Sequence, residues 1–187
     1  MVFFTIGAWL KIWPVAAVLV LYTSAKLRLG VLLAAISTST ALLALGFFLG
    51  ANENLFSFIT MQGNRGLQVE SVAATFWVWA AKAHLPGAGI YFDTALVTNQ
   101  VSGSLTSEVS SLMGFVMIGA IAITAWLSFN AYRAGADFKH LFAVSLLTGV
   151  LDLIVFNKVG SPQFELWLAV PSMAGILFGL PKWRIPL

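Results

Sequence analysis

The sequence predicts an all-α integral membrane protein with about five transmembrane helices and a long extracytoplasmic insertion that contains interfacial helices and a short β-hairpin. Apolar residues make up 59% of the 187 residues and charged residues only 9%. A soluble domain has roughly 25% charged residues, so this composition is typical of a chain that lies within a bilayer. Five apolar stretches also approach the roughly 20 residues that a membrane-spanning helix needs.

The five predicted spans are residues 2–22, 29–50, 111–132, 140–156 and 164–180. Residues 51–110, between the second and third spans, are too polar to cross the membrane twice and too apolar to form a plain linker. We therefore expect this insertion to lie on the membrane surface. Residues 1–187 are interpreted as a single polytopic membrane domain.

The orientation of the chain follows from the basic residues in its short connections, because lysine and arginine are favoured on the cytoplasmic side. Pairs of basic residues follow the first, third and fifth spans: Lys26 and Arg28, Arg133 and Lys139, Lys182 and Arg184. Alternating helices bring these pairs to one face. The sequence thus predicts a multi-pass protein of the cell membrane, with the insertion and the loop around Lys158 on the extracytoplasmic side.

Within the insertion, the sequence pattern predicts three local elements. Polar residues recur at helical spacing over residues 67–83, which predicts an amphipathic helix with Trp77 and Trp79 at the membrane interface. Residues 52–61 are expected to form a shorter amphipathic helix that dips into the headgroups. Residues 89–105 are rich in β-branched and aromatic side chains, which favours a short hairpin outside the membrane.

Several classes of site are disfavoured by composition. The chain has no cysteine, and its two histidines, His84 and His140, lie far apart, so the sequence predicts no metal site and no cofactor. The net charge is +3, but the basic residues are spread along the chain rather than clustered. A nucleic-acid partner is therefore not expected, whereas membrane lipids are expected as partners.

The loop at residues 157–163 is the first candidate for chemistry. Lys158 follows a predicted helix end, and Pro162 is suited to the first turn of the next helix, with Ser161 as its N-cap. A lysine beside a helix N-terminus forms an anion site, and phosphate is the common anion at a membrane surface. The alternative is a lysine that snorkels into the headgroups beside an ordinary helix cap.

The segment at residues 65–71 is the second candidate. The guanidinium of Arg65 can bind two phosphate oxygens, and Glu70 is close enough along the chain to orient it or to accept a hydroxyl proton. Gly66 gives the backbone room to turn. The alternative is a surface ion pair that contributes little.

Two charged residues fall within predicted membrane spans. Lys11 must face a cavity, a partner or a phosphate, unless Trp9 and Trp13 mark the interface and the span begins near Lys11. Asp152 is either a proton carrier or a lysine partner, or it makes a structural hydrogen bond. The residue types alone favour the structural interpretation of Asp152.

Three stretches, residues 10–14 (Leu-Lys-Ile-Trp-Pro), 65–71 (Arg-Gly-Leu-Gln-Val-Glu-Ser) and 156–167 (Phe-Asn-Lys-Val-Gly-Ser-Pro-Gln-Phe-Glu-Leu-Trp), carry a resemblance to a known family. At these residues the chain resembles the polytopic, polyprenyl-phosphate-sugar-dependent glycosyltransferases of glycosyltransferase family 87, which have a C-type membrane fold. The third stretch is the most specific of the three.

The resemblance implies transfer of a hexose, often mannose, from a polyprenyl-phosphate donor to an acceptor at the extracytoplasmic face. It implies that Lys158, Arg65 and Lys11 neutralise the donor phosphate. It assigns Gln163, Gln68 and Glu70 to orienting hydroxyl groups or these cations, with Ser161 capping the helix beside them.

The family's catalytic acidic residue lies in an N-terminal outer loop, so this chain is expected to be the C-terminal portion of a longer or split enzyme, with a missing N-terminal half as partner. Two other hypotheses stay open. One is a non-catalytic module that binds or transports anionic lipid. The other is a small transporter that uses Asp152 and Lys11 as its membrane-embedded charges.

Overall fold

The computed structural model describes residues 1–57 and 65–180, except the side chain of Glu53, and these are mostly helical. The α-helices are α1 (Val2–Leu10), α2 (Pro14–Ser24), α3 (Arg28–Phe48), α4 (Thr75–Lys82), α5 (Thr106–Arg133), α6 (Phe138–Val155) and α7 (Ala169–Leu177). Three further segments are 3-10 helices: Asn52–Phe56, Val72–Ala74 and Pro162–Leu168. The two strands are β1 (Gly89–Asp93) and β2 (Thr98–Ser102).

Helices α3, α5 and α6 are each long and apolar enough to cross a membrane, which makes this a membrane protein. Among the described residues, three helices rather than the predicted five have this length and hydropathy. The first predicted span is divided between α1 and α2, and the last is divided between the 3-10 segment Pro162–Leu168 and the nine residues of α7. The third span begins at Thr106, earlier than the predicted start at residue 111.

The division of the first span has a local cause. Proline lacks a backbone N–H and is suited to the first turn of a helix, and Pro14 begins α2 in this way. Lys11 closes α1 in an extended conformation (φ −149°, ψ 143°). The indole Nε1 of Trp9 donates a hydrogen bond to Ser39 Oγ at 3.0 Å, which ties α1 to α3.

The described residues fall into two compact units. The first takes its residues from Met1–Phe58, Ala122–Val150 and Leu166–Leu187, and the second from Ile59–Ile121 and Leu151–Glu165.

In the first unit, small side chains allow α2 and α6 to pack closely: a Cβ on Gly149 would lie 3.3 Å from that of Ala16. The hydroxyls of Thr23 and Ser128 share a hydrogen bond of 3.0 Å between α2 and α5.

The second unit is built around the β-hairpin, which confirms the predicted element. Strands β1 and β2 are antiparallel, with a register that runs from the pair Gly89 and Ser102 to the pair Asp93 and Thr98. The Asp93 carboxylate closes the turn, since Oδ1 accepts the backbone N–H groups of Ala95 at 2.9 Å and Leu96 at 3.0 Å.

The predicted helix over residues 67–83 is wrong in its first part. Residues 67–69 run alongside β2: Val101 N–H donates to Leu67 O at 3.0 Å, and Val69 N–H donates to Asn99 O at 3.1 Å. Helical structure starts only with Val72–Ala74 and continues in α4. The sequence periodicity was overridden because the hairpin edge takes up these backbone groups and Leu67 enters the core.

In the core of the second unit lies one of the two tryptophans that were predicted to be at the membrane interface. Leu67, Ala74, Trp77 and Val101 form a buried cluster, and Trp77 Nε1 donates a hydrogen bond to Ser104 O at 2.9 Å. Trp77 is therefore a core residue, whereas Trp79 is 62% exposed. Of the shorter helix predicted over residues 52–61, the structure contains the 3-10 segment Asn52–Phe56, and residues 58–61 lie outside the described part.

Candidate anion-binding site

The two polar segments that the sequence singles out meet in the second unit. The backbone N–H of Gln68 donates a hydrogen bond to Lys158 O at 3.1 Å. Gly160 lies directly against the backbone of Glu70 and Ser71, so close that a Cβ at position 160 would overlap their peptide atoms. Residues 65–71 and 157–163 are thus joined through their backbones.

Each segment is shaped by a local turn. Asn157 Oδ1 accepts the Val159 N–H at 3.0 Å, an Asx turn that directs the chain back after α6. The side chain of Val159 is buried. In the other segment, the backbone N–H and hydroxyl of Ser71 both donate to Gln68 O, at 3.0 and 2.8 Å. These turns shape the backbone next to Lys158 and Gln68.

Arg65 and Lys158 line one cleft of about 310 Å³. The rest of its lining comes from the hairpin, from the residues that follow Arg65 and from the first turns of α5: Gly66, Leu67, Tyr91, Gln100, Val101, Thr106, Ser107, Ser110 and Ser111. Among these described lining residues there are two cations, an amide, five hydroxyl groups and no carboxylate. The cleft is therefore suited to an anion.

Helix α5 contributes its N-terminus to this cleft. The first-turn N–H groups of an α-helix have no partner within the helix, and the aligned peptide dipoles make this end positive. In α5 the N–H groups of Thr106 and Val109 donate to Gly103 O and Leu105 O, which leaves those of Ser107 and Glu108 for a ligand. Thr106 and Ser107 lie in that turn, and Ser110 and Ser111 lie in the next. The Ser110 hydroxyl also donates to Arg65 O at 3.2 Å, which holds the arginine backbone against the helix.

The two cations are partly buried. Burial lowers the pKa of the Lys158 ammonium, because removal from water disfavours the charged form. The Nε atom of Arg65 is buried and has no hydrogen-bond partner within the part of the chain that the structure describes. An anion in the cleft would give the Arg65 Nε a hydrogen-bond partner.

Gln100 and Tyr91 face each other across the hairpin as a pair in register. The side chain of Gln100 is 1% exposed, and its Nε2 donates a hydrogen bond to Asp93 Oδ2 at 3.2 Å. Its Oε1 lies against Gly66, where a Cβ would collide with it. The amide of Gln100 is therefore held in one orientation beside the residue that follows Arg65.

Of the seven site residues predicted from the sequence, the cleft brings together Lys158 and Arg65. Gln68 is 2% exposed and does not line the cleft, and its Nε2 has no partner among the described residues. Glu70 and Gln163 are exposed at the surface.

Lys11 is exposed at the break between α1 and α2, in the other compact unit. Ser161 O accepts the Phe164 N–H at 2.9 Å, and the segment that follows is a 3-10 helix rather than the predicted α-helix. The helix N-terminus at the cleft is thus that of α5. Asp152 is buried in α6 and has an interaction partner.

Sequence reasoning missed the contributions of the hairpin and of α5. Gln100 and Tyr91 carry no sequence signal beyond their place in a predicted hairpin. The start of α5 does carry one, since a run of serine and threonine with Glu108 in the first turn is typical of a helix N-terminus.

Comparisons with protein-family models, with curated proteins and with solved structures found no match to this chain. Among the described residues, no group of three or more histidine, cysteine, aspartate or glutamate side chains is placed to hold a metal ion. The chemistry of the cleft therefore depends on its own residues.

Proposed function

We propose that this chain binds the phosphate of a polyprenyl-phosphate sugar in the cleft and takes part in hexose transfer, with mannose as the expected sugar, as part of a membrane glycosyltransferase. The observation that carries the proposal is the convergence of Arg65, Lys158 and the N-terminus of α5 on one cleft. The resemblance of the sequence to glycosyltransferase family 87 supports the identity of the ligand.

The size of the cleft limits what it holds. Sites for small molecules range from about 300 to 1,000 Å³, and this cleft of about 310 Å³ is at the lower end. That volume suits a phosphate with one sugar and excludes a polyprenyl chain. The lipid tail of the donor would therefore lie outside the cleft.

The cleft residues suit a phosphate that departs from a sugar. When the bond from the sugar carbon to the phosphate oxygen breaks, negative charge develops on the phosphate. The Arg65 guanidinium, the Lys158 ammonium and the positive end of α5 would interact more strongly with this developing charge than with the intact donor, so they would stabilise the transition state more than the ground state. The serine hydroxyls would donate further hydrogen bonds to the phosphate oxygens.

We also propose that all five apolar runs cross the membrane and that the cleft is extracytoplasmic. Lys26 lies between α2 and α3, Arg28 begins α3, Arg133 ends α5 and Lys139 lies in the first turn of α6. The tendency of basic residues to stay on the cytoplasmic side supports this orientation. An outer site is where a polyprenyl-linked sugar would be used.

The second candidate is a module that binds or transports anionic lipid without catalysis. It is favoured by the absence of a carboxylate among the described residues that line the cleft. A glycosyl transfer needs a general base to activate the acceptor hydroxyl. In the enzyme hypothesis this base comes from outside the cleft, as the family resemblance implies.

The first experiment measures binding of polyprenyl phosphate to the chain in nanodiscs of neutral lipid, for the wild type, Arg65→Ala and Lys158→Ala. A hydrogen bond to a charged group contributes about 1.5–3 kcal/mol, so each variant should bind roughly 10- to 150-fold more weakly. Lys82→Ala is the matched control, because Lys82 is an exposed lysine of the same unit that stacks on Trp79 and does not line the cleft.

Equal loss of affinity in all three variants would mean that only general charge attraction is at work, and unchanged affinity in Lys158→Ala would show that the phosphate assignment is wrong. Transfer of labelled mannose from polyprenyl-phosphate-mannose, with this chain alone and with its upstream coding region, then separates the two functions. Transfer in either case supports the enzyme, whereas binding without transfer in both supports the lipid-binding module.

A further inference from the structure

The cleft contains one side chain whose chemistry is opposite to that of a phosphate site. Phosphate oxygens accept hydrogen bonds, so a phosphate site needs donors, and Arg65, Lys158 and the first turn of α5 provide them. Gln100 lines the same cleft with an amide that can present either a donor or an acceptor. The hydrogen-bond partner of the Gln100 side chain determines whether the amide presents its NH₂ group or its oxygen to the cleft.

That partner is the carboxylate of Asp93, and an ionised carboxylate only accepts hydrogen bonds. Its Oδ1 is occupied by the backbone N–H groups of the hairpin turn, which fixes the carboxylate. Its Oδ2 accepts the Nε2 of Gln100 at 3.2 Å. The amide must therefore direct its NH₂ group toward Asp93 and its oxygen away from it.

The oxygen of Gln100 then lies against Gly66, the residue after Arg65. The absence of a side chain at Gly66 leaves room for this oxygen, since a Cβ there would displace Oε1 from its position. Within the described part of the chain, no hydrogen bond to this oxygen is formed: the one side-chain bond of Gln100 is that of Nε2 to Asp93. An oriented acceptor thus lies beside the cations.

We propose that Gln100, held by Asp93, is a specificity-determining residue that accepts a hydrogen bond from a hydroxyl group of the ligand next to its phosphate. This inference rests on the proposed phosphate site and names the class of ligand it takes, a phosphate ester that carries a neighbouring hydroxyl. A phosphate monoester without a hydroxyl group, such as methyl phosphate, would place only acceptor oxygens near Oε1 and gain nothing there. A glycosyl phosphate supplies the missing donor.

The sharpest test is Asp93→Asn, which keeps the size of the side chain and the oxygen that closes the turn. The asparagine directs its NH₂ group at Gln100, which forces the glutamine amide to rotate and present its NH₂ group to the cleft. The acceptor becomes a donor without any change in the residues that line the cleft. Asp137→Asn is the matched control, because Asp137 accepts the His140 N–H in a turn that is outside the cleft.

Binding of two soluble probes, mannose 1-phosphate and methyl phosphate, is measured at pH 8 by calorimetry on the full chain in detergent. The wild type and Asp137→Asn should prefer mannose 1-phosphate. Gln100→Met should lose about tenfold of that preference, the equivalent of one hydrogen bond, with an unchanged affinity for methyl phosphate. Asp93→Asn should lose the preference through a higher affinity for methyl phosphate, because the rotated amide then donates to a phosphate oxygen. A general loss of structure would lower both affinities together.

The outcomes separate this inference from the site on which it rests. If the ratio of the two affinities is the same in Asp93→Asn as in the wild type, the role of Gln100 is refuted and the phosphate site stands. If the wild type binds neither probe, the phosphate site is refuted and the inference with it. If both affinities fall in Asp93→Asn but keep their ratio, Asp93 has only a structural role and the inference is again wrong.

Discussion

Replacement of Gly160 by alanine should detach the Lys158 loop from the segment that carries Arg65. A methyl group at position 160 would overlap the backbone carbonyl of Glu70 and the backbone nitrogen of Ser71. These are peptide atoms and cannot move aside as the end of a flexible side chain can. The loop must therefore shift, and the hydrogen bond from Gln68 N–H to Lys158 O lengthens or breaks.

The size of the effect follows from two contributions. An overpacked methyl group typically costs about 1–3 kcal/mol. A lost backbone hydrogen bond costs about 0.5–1.5 kcal/mol net. Their sum, about 1.5–4.5 kcal/mol, corresponds to a roughly 10- to 1,600-fold increase in the opening equilibrium of this contact.

Amide hydrogen exchange followed by mass spectrometry measures that opening directly. The Gln68 amide should exchange faster in Gly160→Ala, whereas the Val69 amide, which donates to Asn99 O, should keep most of its protection. Gly114→Ala is the control, since a Cβ at that position of α5 meets nothing within 4 Å. If Gly160→Ala exchanges like Gly114→Ala and binds polyprenyl phosphate like the wild type, the close backbone contact is not what positions Lys158.

Two further predictions concern the lysine and the core. Burial lowers the pKa of Lys158, and only its protonated form attracts an anion, so phosphate affinity should fall as the pH rises through a range below that of an ordinary lysine, about 10.4. Calorimetry across pH should show this decline in the wild type and not in Lys158→Arg; the same profile in both would remove Lys158 from the site. Trp77→Phe loses the hydrogen bond to Ser104 O and should lower the free energy of unfolding by about 1 kcal/mol, measured as a lower melting temperature in detergent. Trp79→Phe, at an exposed position, should have little effect, and equal effects of the two would contradict the buried position of Trp77.

The helices α3, α5 and α6, which are long and apolar enough to cross a membrane, were largely predictable, because length and hydropathy are properties of a short stretch of sequence. The hairpin was predictable from its β-branched and aromatic residues. The division of the first predicted span into α1 and α2 was only partly predictable. Pro14 is compatible with a new helix that starts there, but a proline is also compatible with the interior of a kinked span. Hydropathy does not distinguish these outcomes, and contacts such as that of Trp9 with Ser39 do.

The candidate site was predictable only in part. Arg65 and Lys158 could be selected from the sequence because they are charged residues in an apolar chain. Placing a charge beside a bilayer is unfavourable, so such residues are candidates for a functional role. Their meeting in one cleft depends on long-range backbone pairing that leaves no periodic pattern in the sequence. The same holds for Gln100, which looks like any polar residue of a strand until its register with Tyr91 is known.

The segment whose structure was predicted wrongly, residues 67–69, is also the segment that holds the site together. In an extended segment, successive N–H groups alternate between its two edges. Residues 67–69 use this alternation: Leu67 O and Val69 N–H bond to the hairpin, and Gln68 N–H bonds to Lys158 O on the opposite edge. A helix over these residues, as their periodicity predicts, would use the same groups internally. The hairpin with Gln100 and the loop with Lys158 would then have no common attachment beside Arg65. The extended conformation of three residues therefore determines whether the two cations and the amide form one cleft.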